Sequence, residues 1–431
     1  MSLYSAGVKT RDMDPNTFNQ SLATFKLPAN STMYPNLRLF NVGCSDPTNA
    51  GHNYNEMCGS YSVIKHITLT SQGQEIDACR NVNRYISFLQ LNNSNEQNVC
   101  VESKESKNAL GFEFSVADNV QSDATETTSV GNAAAQSADK YGYLDLRKAL
   151  PILNNINILD TRILKNLTLT VEFEQNSQII VRNDALSLDV DRPILIYDEV
   201  TDPAKADSLM KAFKGVVWNK IEHDQFSVPA VAVAAAGAQQ TQIVSSRMEM
   251  YSGKFISRMM VSKMFQDLGQ AEAKKTGGMG SVACQAEALN IKVDGARIFP
   301  TDISRENSRL AILCDAYGEI NMSPYGNNIT VGLDDPSVAA VNKIGVEKLQ
   351  GTKQGQFVGN LAFYGMAVNA KVQDLEVNFS RQIIPTGVAG GGGDADRANA
   401  ANQAALTINT FAEVRKSLVL QKDNSIRVSY L

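Results

Sequence analysis

The strongest constraint on this chain is a pair of strand motifs that occurs twice, in the same order. In the first half Ile67-Thr-Leu69 is followed by Gly73-Gln-Glu-Ile76 and then by Arg80-Asn-Val-Asn-Arg84. In the second half Ile291-Lys-Val293 is followed by Gly295-Ala-Arg-Ile298 and then by Arg305-Glu-Asn-Ser-Arg309. Each copy reads as strand, glycine turn, strand, short helix. A second motif, Leu169-Thr-Val171-Glu-Phe173, is matched by Leu375-Glu-Val377-Asn-Phe379 and follows the first by roughly 80–100 residues in both halves. One Leu-x-Val-x-Phe run is only what a half-buried strand looks like. Two motifs in one order at similar spacing point to two copies of one all-β domain.

Period-two alternation dominates elsewhere too. Tyr61, Val63, Ile67 and Leu69 alternate with polar residues, as do Leu289, Ile291 and Val293, and Ile426, Val428 and Tyr430. One wet face and one dry face define a half-buried antiparallel strand. Helical spacing is scarce: Val82, Ile86 and Leu89; Leu310, Leu313, Cys314 and Tyr317; and a helix capped by Asp202, with Pro203 at its first position and Gly215 after its end. That third helix carries Ala206, Leu209, Met210 and Phe213 on one stripe and lies near the chain midpoint. The division expected is therefore an N-terminal jelly roll over 1–200, a helical linker over 201–215 and a C-terminal jelly roll over 216–431. The fold class is all-β: two tandem eight-stranded jelly-roll β-sandwiches with short helices and long loops. Long stretches of small and polar residues cover 118–140, 230–242, 269–281 and 385–405, and loops of this length are either disordered or serve an interface.

Composition excludes several functions. With 431 residues and 43% hydrophobic content, the chain can bury two substantial cores. A net charge of −5 and a pI near 5.5 argue against coating nucleic acid, which needs a basic stripe. The first residues hold no apolar core of a signal peptide, and no stretch has the length of a membrane span. The six cysteines are then read as reduced thiols, and the sequons at Asn30 and Asn166 carry no glycan.

The run from Gly59 through Leu69, the turn at Gly73 and the helix entered at Arg84-Tyr85 resemble the first jelly roll of double jelly-roll major capsid proteins. The segment Tyr143-Leu-Asp-Leu-Arg-Lys-Ala-Leu-Pro151 resembles the short helix before a late strand of that domain. The strand itself resembles Leu164 through Phe173, and the exit strand resembles Pro193-Ile-Leu-Ile-Tyr-Asp198. The likeness is to the coat proteins of small double-stranded DNA viruses of the polinton-like and virophage type. It implies a pseudo-hexameric homotrimer, in which three copies of two similar rolls make a six-sided tile for an icosahedral shell. It also implies neighbouring capsomers and penton and minor or cement capsid proteins as partners, a place in the virion, and no enzymatic activity. A vertex or minor capsid protein usually carries one roll, so the duplication counts against it.

Chemistry-bearing residues are few. His66 is expected on the face of its strand opposite Ile67, facing solvent or an interface. Cys44, His52 and Cys58 fit no common zinc spacing. Asp334-Asp335-Pro336 reads as a turn, and Asp184, Asp189, Asp191 and Asp198 read as a solvated edge that discourages stray pairing. No nucleophile elbow, phosphate-binding loop or HExxH motif occurs, and the glycine runs at 277–280 and 390–393 read as flexible loops. The expectation is no catalytic, cofactor or metal residues, and no direct contact with nucleic acid. A carbohydrate-binding sandwich needs exposed aromatic residues, and this chain has one tryptophan, Trp218, expected to pack at the start of the second roll.

Overall fold

The computed structural model describes residues 7–45, 59–89, 142–180, 189–231, 240–267, 281, 284, 287–304, 309–318, 363–383, 404–421 and 425–431. Eight main strands carry the first unit: β1 (Val8–Met13), β2 (Leu22–Lys26), β3 (Arg38–Val42), β4 (Ile64–Ser71), β5 (Gln74–Arg80), β6 (Gly142–Asp145), β7 (Thr168–Phe173) and β8 (Ile194–Val200), beside the short strands Thr17–Asn19, Thr32–Met33, Cys44–Ser45, Leu159–Asp160 and Asp189–Val190. Eight more main strands carry the second, beside the short strand Ile303–Ser304 that pairs with β12: β9 (Gly215–Val228), β10 (Gln240–Arg247), β11 (Lys254–Phe265), β12 (Ala288–Val293), β13 (Ala296–Arg297), β14 (Tyr364–Val372), β15 (Leu375–Ile383) and β16 (Leu406–Leu420). A last strand, β17 (Ile426–Tyr430), pairs with the end of β16.

The order of the main strands repeats one for one. In the first unit the main strands of one sheet run β1-β8-β3-β6, with Thr32–Met33 and then Leu159–Asp160 also joined to β8, and those of the other run β2-β7-β4-β5, with Thr17–Asn19 at the edge of β2. In the second they run β9-β16-β11-β14 and β10-β15-β12-β13. Adding eight to each label converts one set of pairings into the other, and all are antiparallel. Among the described residues no pairing joins a strand before Val200 to one after Gly215.

The two sequence motifs fall on matching strands in matching register. Leu169 faces Leu69 and Val171 faces Ile67 across β7 and β4. Leu375 faces Val293 and Val377 faces Ile291 across β15 and β12. The glycine turns match as well. Gln72 and Gly73 have φ of 52° and 78°, and Asp294 and Gly295 have 51° and 80°. Two consecutive positive φ values define the two-residue turn whose twist suits a tight hairpin, and glycine at its second position avoids the Cβ clash.

The helices expected from spacing form as α1 (Val82–Leu89), α3 (Pro203–Ala212) and α4 (Arg309–Tyr317). The short helix near the late strand is a 3-10 turn at Leu146–Lys148 followed by α2 (Ile152–Asn155). Asp202 caps α3 as expected, accepting from the backbone N–H of Ala204 at 3.0 Å. Four readings change. The linker helix ends at Ala212, and Gly215 is the first residue of β9. Its stripe is shallow, because only Ala206 is buried. Tyr61 and Val63 sit in a 3-10 turn, Gly59–Val63, so the alternating strand starts at Ile64. Asp198 is no solvated edge. It is 9% exposed, accepts from the Thr10 hydroxyl at 2.6 Å and from Asn36, and so ties β1 to β8.

The segments 118–140 and 269–280 lie outside the described residues, as do most of 230–242 and 385–405, along with Asp184, the Asp334–Asp335 pair and both glycine runs.

The second core holds a buried ion pair. Lys263 on β11 and Glu287 just before β12 are both fully buried, 3.2 Å apart. The Tyr364 hydroxyl donates to the same carboxylate at 2.9 Å, and the Cys284 backbone N–H donates at 2.7 Å. Removing one partner of such a pair strands a charge in an apolar medium. Glu287→Gln should therefore lower stability by about 3–5 kcal/mol, read from the urea midpoint, while Glu287→Gln with Lys263→Met should recover most of the loss.

Candidate functional site

The feature that distinguishes this chain from two sandwiches on a string is the seam between them. Strands β9 and β16 run 14 and 15 residues and pair along all of β9. Both bury side chains of both parities. Along β16, Leu406 to Val414 is buried at every described position except Thr407. A strand dry on both faces needs cover on both sides. Ile256, Met259 and Val261 of β11 share a core with Ala412 and Val414 on one side. Trp218, Ile221, Met260, Phe411 and Leu418 instead belong to the first unit's core.

Aromatic rings close the middle of the seam. Tyr85 of α1 lies 5.6 Å from Phe411, and Phe88 lies 4.9 Å edge-on from Tyr317 of α4 and 5.6 Å from Phe363. Helix α4 can lie this low because position 365 of β14 is glycine: a Cβ there would stand 2.1 Å from Leu313 and 3.0 Å from Tyr317.

A polar chain crosses beside the rings. The Asn81 backbone N–H donates to His66 Nδ1 at 3.0 Å, and the Asn81 side-chain amide meets the His223 ring at 3.2 Å. His223 Nε2 reaches Asn409 Oδ1 at 3.0 Å. With Nε2–H donating to Asn409, Nδ1 is left as the acceptor for the Asn81 amide, which suits a neutral imidazole. Burial holds His223 in that form, lowering its pKa to about 4. His66 thus faces the seam, and the role of His223 had no signature in sequence.

Charges lock the other end. Lys220 Nζ contacts Glu75 of β5 at 2.5 Å and Glu222 at 2.9 Å. Glu222 also accepts from the Tyr430 hydroxyl at 2.6 Å, which pins the terminal strand. Burial would raise Glu222, but Lys220 and the Tyr430 hydrogen bond outweigh it and hold it below the usual carboxylate value. Lys416 donates to the Ile76 carbonyl at 2.8 Å. Asp77 on β5 is fully buried and accepts from the Ile152 backbone N–H of α2 at 3.0 Å. Its burial raises the carboxyl to about 6, despite that bond and the nearby lysines.

The remaining candidates stay apart. Cys44, Cys79 and Cys284 are buried and in no disulfide, and burial pushes the Cys284 thiol up to about 12. His52 and Cys58 lie outside the described residues. Trp218 is 2% exposed and packs on the first unit. The seam could have been suspected from Lys220, Glu222, Glu413 and Lys416, which interrupt apolar runs, and from Phe411 and Ala412, adjacent apolar residues of opposite parity.

The two buried titrating groups oppose each other. Asp77 binds its proton more tightly in the folded chain, so its contribution to stability declines as pH rises from about 4 to 6. His223 releases its proton more readily when folded, so its contribution is lost as pH falls from about 6.5 to 4. Asp77→Asn should accordingly gain about 3 kcal/mol over the parent between pH 4 and pH 7. The parent's advantage over His223→Gln should shrink by about 3 kcal/mol between pH 7 and pH 4. Urea titrations across that range give both differences.

No family model and no curated protein matches the chain. Solved structures do. The chain is similar to one in the cryo-EM structure of the Sputnik virophage, with 11% identity over 99% of this chain and 88% of that one and a TM-score of 0.58. It is similar to the mavirus major capsid protein at 12% identity over 98% and 90%, with a TM-score of 0.52. It is also similar to a chain of the PBCV-1 virus capsid at 10% identity over 98% and 97%, with a TM-score of 0.55. At these identities the likeness is one of fold, and it extends over both rolls: the chain has the double jelly-roll fold of those capsid proteins.

Proposed function

We propose that the chain is a major capsid protein that self-assembles as a pseudo-hexameric homotrimer and tiles an icosahedral shell around a double-stranded DNA genome. The observation that carries this reading is the one-for-one repeat of strand order in two rolls joined by a buried seam. Three copies of such a subunit place six similar units around a three-fold axis, and a six-sided tile covers a flat facet with one kind of chain. The domain division at 201–215 belongs to this reading, with α3 as the connection between rolls.

The partners proposed are two further copies in the trimer, neighbouring capsomers, and penton and minor or cement proteins. The location is the virion shell. The role is structural and non-enzymatic, with no direct nucleic acid contact. The burial of Trp218 weighs against a carbohydrate-binding sandwich, because a sugar stacks on an accessible ring. Light scattering on the purified chain should give three times its 46.8 kDa mass. A monomer at all concentrations would contradict the trimer.

A further inference from the structure

One end of the seam opens into a cavity of about 530 Å³ built by both rolls. The first roll supplies Arg147, Lys148 and Pro151, and the second supplies Trp218, Arg258 and Arg415. Among the described residues Glu413 is the one carboxylate in the lining, and it is already paired with Arg258 at 2.8 Å. Arg147 is held by Asp145 from outside the cavity. Arg415 is different. It is exposed, its guanidinium lies 4.4 Å from the Phe255 ring centroid, and among the described residues no carboxylate pairs with it. With Arg258 and Arg147 each held by a carboxylate, Arg415 still turns a positive charge to this end of the seam, in a chain whose net charge is −5. The lining also has an apolar side, with Leu89 half-buried and Val217 52% exposed.

We propose that this cavity is the docking site for an acidic peptide segment of a partner protein, with a carboxylate on Arg415 and an apolar side chain against Val217. Charge complementarity selects the acid, since arginine offers a carboxylate a two-pronged hydrogen bond. The shape selects a peptide over nucleic acid. A duplex needs a basic stripe along a surface, whereas this site is recessed and partly apolar. Because both rolls line the cavity, an occupant bridges them and strengthens the seam. The site is complete in a single chain, so its test does not depend on the capsid reading or on the trimer.

Trp218 is the only tryptophan in the chain and lines the cavity, so its fluorescence reports on occupancy directly. The full chain would be titrated with an acetylated and amidated Asp-Glu-Leu-Glu-Asp peptide at low salt. The expected result is a saturable fluorescence change that weakens at least about tenfold in Arg415→Glu and again at high salt. Arg247→Glu, a surface change on β10, should leave the titration unaltered. Arg415 is solvent-facing, and a thermal melt of the variant confirms that it folds. No saturable change, or a change indifferent to Arg415→Glu, would overturn the proposal. So would an equal, Arg415-dependent response to inorganic phosphate or to a DNA oligonucleotide, which would make this a phosphate site instead.

Discussion

Burial of β9 and β16 on both faces is the constraint from which the rest follows. A sandwich needs its sheets dry only on the inside. Here the long sheet of the second roll is also covered from outside by the first roll, through α1, α2 and β5. Once Phe411, Ile221 and Trp218 join the first core, the charged groups buried on those strands need partners at the junction. Lys220, Glu222 and Lys416 meet Glu75, the Ile76 carbonyl and Tyr430, and His223 is held between two asparagines. Directional contacts of this kind fix the angle between rolls more narrowly than apolar packing alone, because hydrogen bonds to charged groups are lost with small displacements.

For the proposed trimer a fixed angle matters, because a duplicated roll makes a six-sided unit only if its halves keep one orientation. The repeat is close in topology and relaxed at its edges. In the first roll a short strand, Thr17–Asn19, covers the outer side of β2. Its counterpart β10 has no such cover among the described residues and exposes 71% of Ile243. Two rolls that match in their sheets and differ at their edges can fill equivalent places in a tile while making different contacts with neighbours.

The sheets were largely legible in the sequence, and the seam was not. Leu169, Val171 and Phe173 announce a strand because one face is wet and one is dry, and the same rhythm at Leu375 exposes the duplication. Gly73 and Gly295 mark turns for a steric reason that composition alone reveals. Where both faces are dry the rhythm vanishes, so β16 showed no alternation to read. Asp198 reads as solvated in sequence, because a carboxylate near a strand end gives no sign of partners such as Thr10 and Asn36 that come from elsewhere in the chain. His223 and Asp77 act through partners distant in sequence, across the junction or between α2 and β5, and no local spacing encodes such a pairing.

Cryo-electron microscopy of the purified particle tests the central claim most directly. The account predicts a three-fold object with six similar lobes, alternating between first and second rolls, with continuous density across the seam inside each subunit. Particles with three lobes, or with the two rolls of one subunit at variable angles, would contradict it.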